Sequence, residues 1–507
     1  MTEHHQRVLN LYPIQEMPMS PFFRKRIPAW LCLLAFLAVP LWSEQFPLRI
    51  LHTNDWHGTI QPLSSAWLNA SEPRLIGGAG VLGTALNRQK LDILRRGGRY
   101  LLLDAGDLFQ GSMEVNLTQG LAMIDLYNHL GYVVTALGNH DFDYGPQALR
   151  QAYEQAHFTP VCANLDGHDR FWRRSVKLRV GPLKIGIFGL ITPDLPSVSV
   201  KKNLAGVQLR NVATAAAAEA TALRRDGCDL VVLLSHCGHP MDRLLAWWTP
   251  DIDVIIGGHS QDHLNQPVVT GKTLIVQTRG YGSHLGDLTL QWSTEDKRIA
   301  TWTYASHLLD PQIFDLATDT IEAVLPHIEL VRKKANEPVA WLDKPLSKGV
   351  DGSDSEIGWI TCRAIRERSG QPIAVFHRNG IRNDLARGLV TFGTLYQVLP
   401  FEHEIMTGEM SGEDLLQVAA FSLPGVQPPL VIEGLEPVGT SAGSPGWRQK
   451  NGAAIEKGKW YPIAFNDFLA QGGDRFVQFA RVRNPRETRM MVREVFMESL
   501  REQFPPR

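Results

Sequence analysis

Five short stretches carry metal-capable side chains just after apolar runs. "HTNDWHG" holds Asp55 and His57, "LLLDAGDLFQGS" holds Asp107, and "ALGNHDFDYG" holds Asn139 and His140. "LLSHCGH" holds His236, and "IIGGHSQDHL" holds His259 and Gln261. Carboxylate, imidazole and amide oxygen together suit borderline or hard divalent ions such as Zn, Mn, Co or Fe, whereas thiolates would select softer chemistry. The donors are too many for one coordination sphere, but two ions sharing a bridging carboxylate would use them all. Such a pair lowers the pKa of a bound water, so the donor set points to metal-assisted chemistry.

Taken singly, each stretch has an ordinary reading. Asn, Asp and Gly favour turns, an Asp after a strand often caps a helix, and the histidine of "LLSHCGH" is also compatible with plain core packing. The two glycines of "IIGGHSQDHL" let backbone approach closely beside an imidazole. What favours metal is recurrence, because sites in open α/β sheets gather outside the carboxyl ends of strands.

The elements that must position these residues are legible as alternating apolar strands and amphipathic helices. Strands are predicted at "LRILHTN", "YLLLDAG", "YVVTALG", "KIGIFGL", "DLVVLLSH" and "DVIIGGH", and helices at "VLGTALNRQKLDILRR" and "NVATAAAAEATALRRDG". This is an α/β pattern, with sheet strands covered by helices. A further helix from Asp315, "DLATDTIEAVLPHIELVRKKA", opens a second α/β unit and sets a boundary near residues 306–335. The Gly-, Ser- and Pro-rich "EGLEPVGTSAGSPGWRQKNGAA" reads as a surface loop of that second unit.

With 507 residues, 44% of them apolar, the chain is long enough for two domains with full cores. Charged residues make up 20% and the formal net charge is −1, so the basic footprint of a polymeric nucleic-acid binder is missing. Residues 24–26, "RKR", followed by "IPAWLCLLAFLAVPLW" and small polar residues from Ser43, have the layout of an export signal, with a mature start near Glu44. An exported, periplasmic or cell-surface protein is expected, anchored if the signal is retained. Cys162, Cys228, Cys237 and Cys362 show no metal-binding spacing, and either pairing or burial as free thiols fits them.

In order and content, the five stretches resemble the signature of the calcineurin-like metallophosphoesterases, in the branch of exported 5′-nucleotidases and UDP-sugar hydrolases. "NGIRNDLARGLVTFGTLYQVLPFEHEI" and "YPIAFNDFLAQGGDRF" are similar to that branch's carboxyl-terminal domain. The resemblance implies a four-layer α/β/β/α sandwich over residues 44–305, a linker helix at 306–335 and a separate mixed α/β substrate domain at 336–507. It implies Asp55, His57 and Gln261 as ligands of one divalent ion, Asn139, His236 and His259 as ligands of a second, and Asp107 as the bridge. His140 matches the family's catalytic histidine and Asp143 the carboxylate paired with it. Arg382 matches an arginine facing phosphate, Phe401 and Phe468 two rings that sandwich a base, and Asp474 a carboxylate near the ribose.

The activity implied is removal of phosphate from small-molecule nucleotides, with a metal-bridged hydroxide attacking phosphorus in line; no stable protein partner is expected. The same centre serves 2′,3′-cyclic-nucleotide phosphodiesterases with 3′-nucleotidase activity, UDP-sugar hydrolases and a thiosulfohydrolase branch. A nucleotide-binding surface protein without turnover is the alternative of another class. The chain departs from the family pattern where Ser347 and Asp351 stand in place of arginines, Glu356 in place of an asparagine, and His377 and Arg378 in place of Asn or Gly.

Overall fold

A computed structural model describes residues 45–65, 67–68, 74–167, 170–349, 355–438 and 446–506. The expected export signal at 1–43 and Asp351 lie outside the described residues.

The amino-terminal half is built on two six-stranded sheets. The first runs, edge to edge, Arg298–Leu308, His284–Ser293, Gln45–Thr53, Arg99–Asp104, Val134–Ala136 and Thr159–Val161. The second runs Val268–Thr270, Thr273–Val276, Val254–Gly257, Leu230–His236, Leu183–Ile191 and Ser175–Val180. The central strands of each are parallel. Alternate side chains point to opposite faces of a strand, and here both faces are apolar. Leu48, Ile50, Leu101 and Leu103 meet Ile185, Ile187, Val232 and Ile256 in the core between the sheets. On the outer face of the first sheet, Leu51 and Leu102 pack under the helices Ala79–Arg95 and Leu121–Leu130. On the outer face of the second, Phe188, Val231 and Leu233 pack under Val212–Arg225 and His239–Trp248. The result is the expected α/β/β/α order of layers.

All six predicted strands and all three predicted helices are present. Two strands, His284–Ser293 and Arg298–Leu308, extend the first sheet although neither was read from the sequence. Their antiparallel hairpin leaves the last strand half-exposed, so its apolar residues are interleaved with Thr, Ser and His.

Thr318–Ala335 forms the expected long helix, with Pro326 inside it. Val324 belongs to the amino-terminal core, while Val331 packs with Met113 and with Tyr396 of the second half. That half contains a five-stranded sheet in the order Leu430–Glu433, Ile373–His377, Trp460–Asn466, Glu404–Ser411 and Arg483–Met491. Ala374 and Phe376 face helices Glu356–Ser369 and Val492–Gln503, and Ile373 and Val375 face helix Gly412–Ala420. The segment read as a surface loop is in part a hairpin. Leu435–Val438 pairs with Gly446–Gln449, because Leu435, Trp447 and Ile455 are buried against the second core and hold the flanks in register.

Cys162, Cys228, Cys237 and Cys362 are all free and buried. Burial pushes the Cys162 thiol up to about 12, which leaves it inert at neutral pH.

Candidate dimetal active site

The parallel strands bring their carboxyl ends to one edge. Gln45–Thr53 runs into Asp55 and His57, Arg99–Asp104 into Asp107, and Val134–Ala136 into Asn139 and His140; Leu230–His236 ends on His236, and Val254–Gly257 runs into His259 and Gln261. The backbone turns sharply there. Asp55 (φ 50°), His57 (48°), Asp107 (56°), His259 (73°) and Gln261 (55°) all adopt the left-handed region, which costs a non-glycine residue about 1 kcal/mol or more and which gathers at functional sites. Two glycines permit the close approach. A Cβ on Gly138 would fall 2.1 Å from Asp107 Oδ1, and one on Gly258 would fall 3.0 Å from His236 Nδ1 and 3.1 Å from Asp55 Oδ2.

Ligand atoms of Asp55, Asp107 and His236 lie within 4.8 Å of one another, all buried. Asp107 Oδ2 is 3.1 Å from His236 Nε2 and 3.7 Å from His57 Nε2, and Gln261 Nε2 is 3.0 Å from His57 Nε2. The His236 and His259 ring centroids are 5.2 Å apart. Supporting bonds aim these groups. His236 Nδ1 donates to the Ala105 carbonyl at 2.8 Å, which leaves the lone pair on Nε2. Asp55 accepts from Asn54 Nδ2 at 2.8 Å and from the His259 N–H at 3.0 Å, and Asn54 Oδ1 in turn accepts from the Thr278 N–H and hydroxyl.

Two observations fit divalent cations here. Asn139 Oδ1 is buried and makes no hydrogen bond among the described residues, a costly condition unless a ligand meets it. The electrostatics also call for positive charge. Burial raises Asp55 to about 6. Burial would lower His236, yet the adjacent Asp107 carboxylate more than offsets it and raises it to about 10. The cluster therefore takes up protons where a dication would satisfy both groups. Burial, then the field of His236, lowers His259 to about 4, keeping that imidazole neutral and competent as a donor.

His140 lies next to this cluster with its ring fixed. Its Nδ1 is 2.8 Å from Asp143 Oδ2, and its N–H donates to Asp107 Oδ1 at 2.8 Å. Burial works against its charge, but Asp143 and then Asp107 outweigh it and the pKa stands above the ordinary histidine value.

Arg382 reaches the cluster from the second half of the chain. Its Nε donates to the Tyr281 hydroxyl at 2.6 Å, and its Nη2 lies 3.4 Å from His57 Nε2. The Tyr281 ring stacks on His57 with centroids 4.8 Å apart. A cavity of about 520 Å³ opens over this junction, lined on one side by Asp107, Asn139, His140, Asp143, His259 and Gln261, and on the other by Arg382, Phe401, Phe468 and Asp474. Asp55, His57 and His236 are fully buried and do not line it.

The Phe401 ring is 5.7 Å from His140. His403 contacts both expected base-stacking rings, at 5.2 Å from Phe401 and 5.7 Å from Phe468, with its Nδ1 held 2.9 Å from Asp467. Asp474 accepts from Asn379 Nδ2 at 3.2 Å. Glu356 accepts from the Ser347 N–H and pairs with Lys344, so it acts as a local brace.

Sequence reasoning left Asp141 without a role. Its carboxylate, fully buried, accepts from the N–H groups of Leu108 (3.0 Å), Phe109 (3.1 Å) and Gly138 (2.8 Å), tying the loop of Asp107 to the loop of Asn139 and His140. Burial first, and the nearby Asp107 second, raise it to about 7. The one available signal was its distance from Gly138, since an acidic side chain reaching back three residues to an N–H is the geometry of a capping box. Asn54, Tyr281 and His403 were likewise not singled out.

Residues 48–262 match the calcineurin-like phosphoesterase family model, and residues 338–481 match that of the 5′-nucleotidase C-terminal domain. An apyrase of Aedes albopictus is 27% identical over 426 residues, spanning 75% of this chain and 73% of that protein. A 5′-nucleotidase of Vibrio cholerae is 24% identical over 425 residues, 74% of this chain and 75% of that one. The crystal structure of a 5′-nucleotidase precursor from Thermus thermophilus superposes with a TM-score of 0.81 at 26% identity, covering 90% of this chain and 97% of that one. With the strand-end donors and the two-part architecture, these matches mean that the chain belongs to the calcineurin-like metallophosphoesterases, metal-dependent phosphoester hydrolases, and carries their 5′-nucleotidase carboxyl-terminal domain.

Proposed function

We propose that this protein removes the phosphate of nucleoside monophosphates in the cavity between its two halves. The observation that carries the reading is that one cavity is lined both by the strand-end donor cluster and by a wall bearing an arginine, two phenylalanines and a carboxylate. Asp55, His57 and Gln261 would hold one divalent ion, Asn139, His236 and His259 the other, and Asp107 both. The ions supply Lewis acidity, activating water and neutralising phosphoryl charge.

The chain's own groups do the rest. Arg382, braced by the Tyr281 hydroxyl, offers a guanidinium fork to phosphate oxygens. His140, oriented by Asp143 through Nδ1, keeps its proton and directs Nε2 at the leaving oxygen as donor. Phe401 and Phe468 offer faces for a base, a contact that tolerates different bases. In this conformation the His403 imidazole touches both rings and His377 lies 4.7 Å from Phe468, so a base stacks on them by displacing a histidine. Asp474 is suited to accept from a ribose hydroxyl. The catalytic unit is taken as residues 44–305 and the substrate unit as 336–507, and export rests on the amino-terminal leader.

The deciding experiment is a phosphate-release screen over nucleoside monophosphates, cyclic nucleotides and nucleotide sugars, with and without prior chelation. Loss of activity on chelation and recovery with Mn or Zn is expected. His140→Ala should lower kcat by about 10² or more, the usual span for a general acid, at unchanged metal content, whereas Asp107→Asn should lose metal. Nucleotide binding without phosphate release by the metal-loaded protein would instead mark a binding protein.

A further inference from the structure

Lys348 stands on the wall of the same cavity, beside Arg382. Its backbone N–H donates to Asp384 Oδ1 at 2.8 Å, and its Nζ donates to the Arg382 carbonyl at 3.0 Å. Among the described residues that carbonyl is the sole hydrogen-bond partner of the ammonium, and none of them forms an ion pair with it. The contrast with its neighbour is direct: Lys344, on the surface four positions earlier, pairs with Glu356 at 2.9 Å. The fields of Arg382, Arg279 and Arg378 act against its charge, and that of Asp384 favours it. A largely buried ammonium beside arginines, with no carboxylate ion-paired to it among the described residues, is unfavourable unless an anion reaches it, and the only open approach described is the cavity.

We infer that Lys348 is a substrate-binding residue, its ammonium gripping, together with the Arg382 guanidinium, the phosphoryl group presented to the metal end of the cavity. This rests on the phosphohydrolase reading above. The two cations are not equivalent. Arg382 supplies a planar fork and a charge fixed at every working pH, whereas a lysine is a point charge that titrates when buried. Burial, then the field of Arg382, lowers Lys348 to about 8. Its folded-state proton is thus held at neutral pH and lost as pH rises through that value, and with it the grip on the anion.

The test compares wild type, Lys348→Met and Lys348→Arg, each loaded with Mn or Zn and checked for metal content. Kinetics of phosphate release from adenosine 5′-monophosphate are followed from neutral to alkaline pH. Because a hydrogen bond to a charged group is worth about 1.5–3 kcal/mol, Lys348→Met should raise KM by roughly tenfold or more with kcat within about twofold. Wild-type KM should rise above pH about 8, and that of Lys348→Arg should stay flat through the same range. An unchanged KM in Lys348→Met, or a fall in kcat at constant KM, overturns the assignment. Calorimetric titration of the same proteins with inorganic phosphate separates this failure from failure of the activity reading. Weaker phosphate binding by Lys348→Met supports the role even if no nucleotide is turned over, and equal binding refutes it.

Discussion

At the scale of single residues, the site divides into side chains whose type announces them and side chains whose partners are backbone. Asp55, His57, Asp107, His236 and His259 were legible because carboxylates and imidazoles recur at the ends of apolar runs. Asp141 was not legible, since the groups it serves are the N–H groups of Leu108, Phe109 and Gly138, which carry no residue type. Its removal leaves buried donors unpaired, each at about 1–3 kcal/mol. Asp141→Ala is therefore expected to lower both the melting temperature and the metal retained after dialysis, although Asp141 is not proposed as a ligand. A variant that melts like wild type and keeps its metal would show that the three bonds are dispensable. Lys348 escaped for a related reason: among surface lysines nothing in the local sequence distinguishes the one that lies against an arginine in a cavity.

At the scale of elements, the layers were readable wherever a strand is apolar on both faces, as in "DLVVLLSH", which becomes Leu230–His236. The edge hairpin of His284–Ser293 and Arg298–Leu308 was missed because its outer strand shows water a face of Thr, Ser and His. The Leu435–Val438 hairpin was hidden by its glycine- and proline-rich setting, although Trp447 is buried beneath it. Loop crossings matter as much as strands. Gly138 passes so close that a Cβ would sit 2.1 Å from Asp107 Oδ1 and 2.3 Å from its backbone N. Gly138→Ala should force the Asp107 loop away, with metal content falling sharply while the far-ultraviolet circular dichroism stays that of wild type. Retention of full metal by that variant would contradict the geometry.

At the scale of the whole molecule, the two halves are joined by contacts of different weight. Tyr396 packs with Met113 and Val331, Asn116 Nδ2 donates to the Pro400 carbonyl at 3.0 Å, and Arg382 enters the donor cluster. Arg475 and Asp194 form a further pair across the halves, but at 68% and 44% side-chain exposure they remain largely in water. Exposed pairs contribute about 0–1 kcal/mol. Arg475→Ala should accordingly leave the thermal midpoint nearly unchanged, as read by scanning calorimetry, and a drop of many degrees would show that this pair carries the junction. None of these contacts was visible in the sequence, because each joins residues hundreds of positions apart or in separate units, and their register is set only when both cores have formed.

The left-handed backbone at Asp55, His57, Asp107, His259 and Gln261 bears on what selection has been doing. Glycine would sit at those five positions without penalty, so the fold on its own would be easier to maintain without these donors. Proteins drift near a stability threshold, and changes that relieve strain are readily accepted when nothing opposes them. A lineage that had ceased to bind metal would be expected to shed such residues early. On the proposed reading, the strain at these five positions is required by the chemistry and not by the fold.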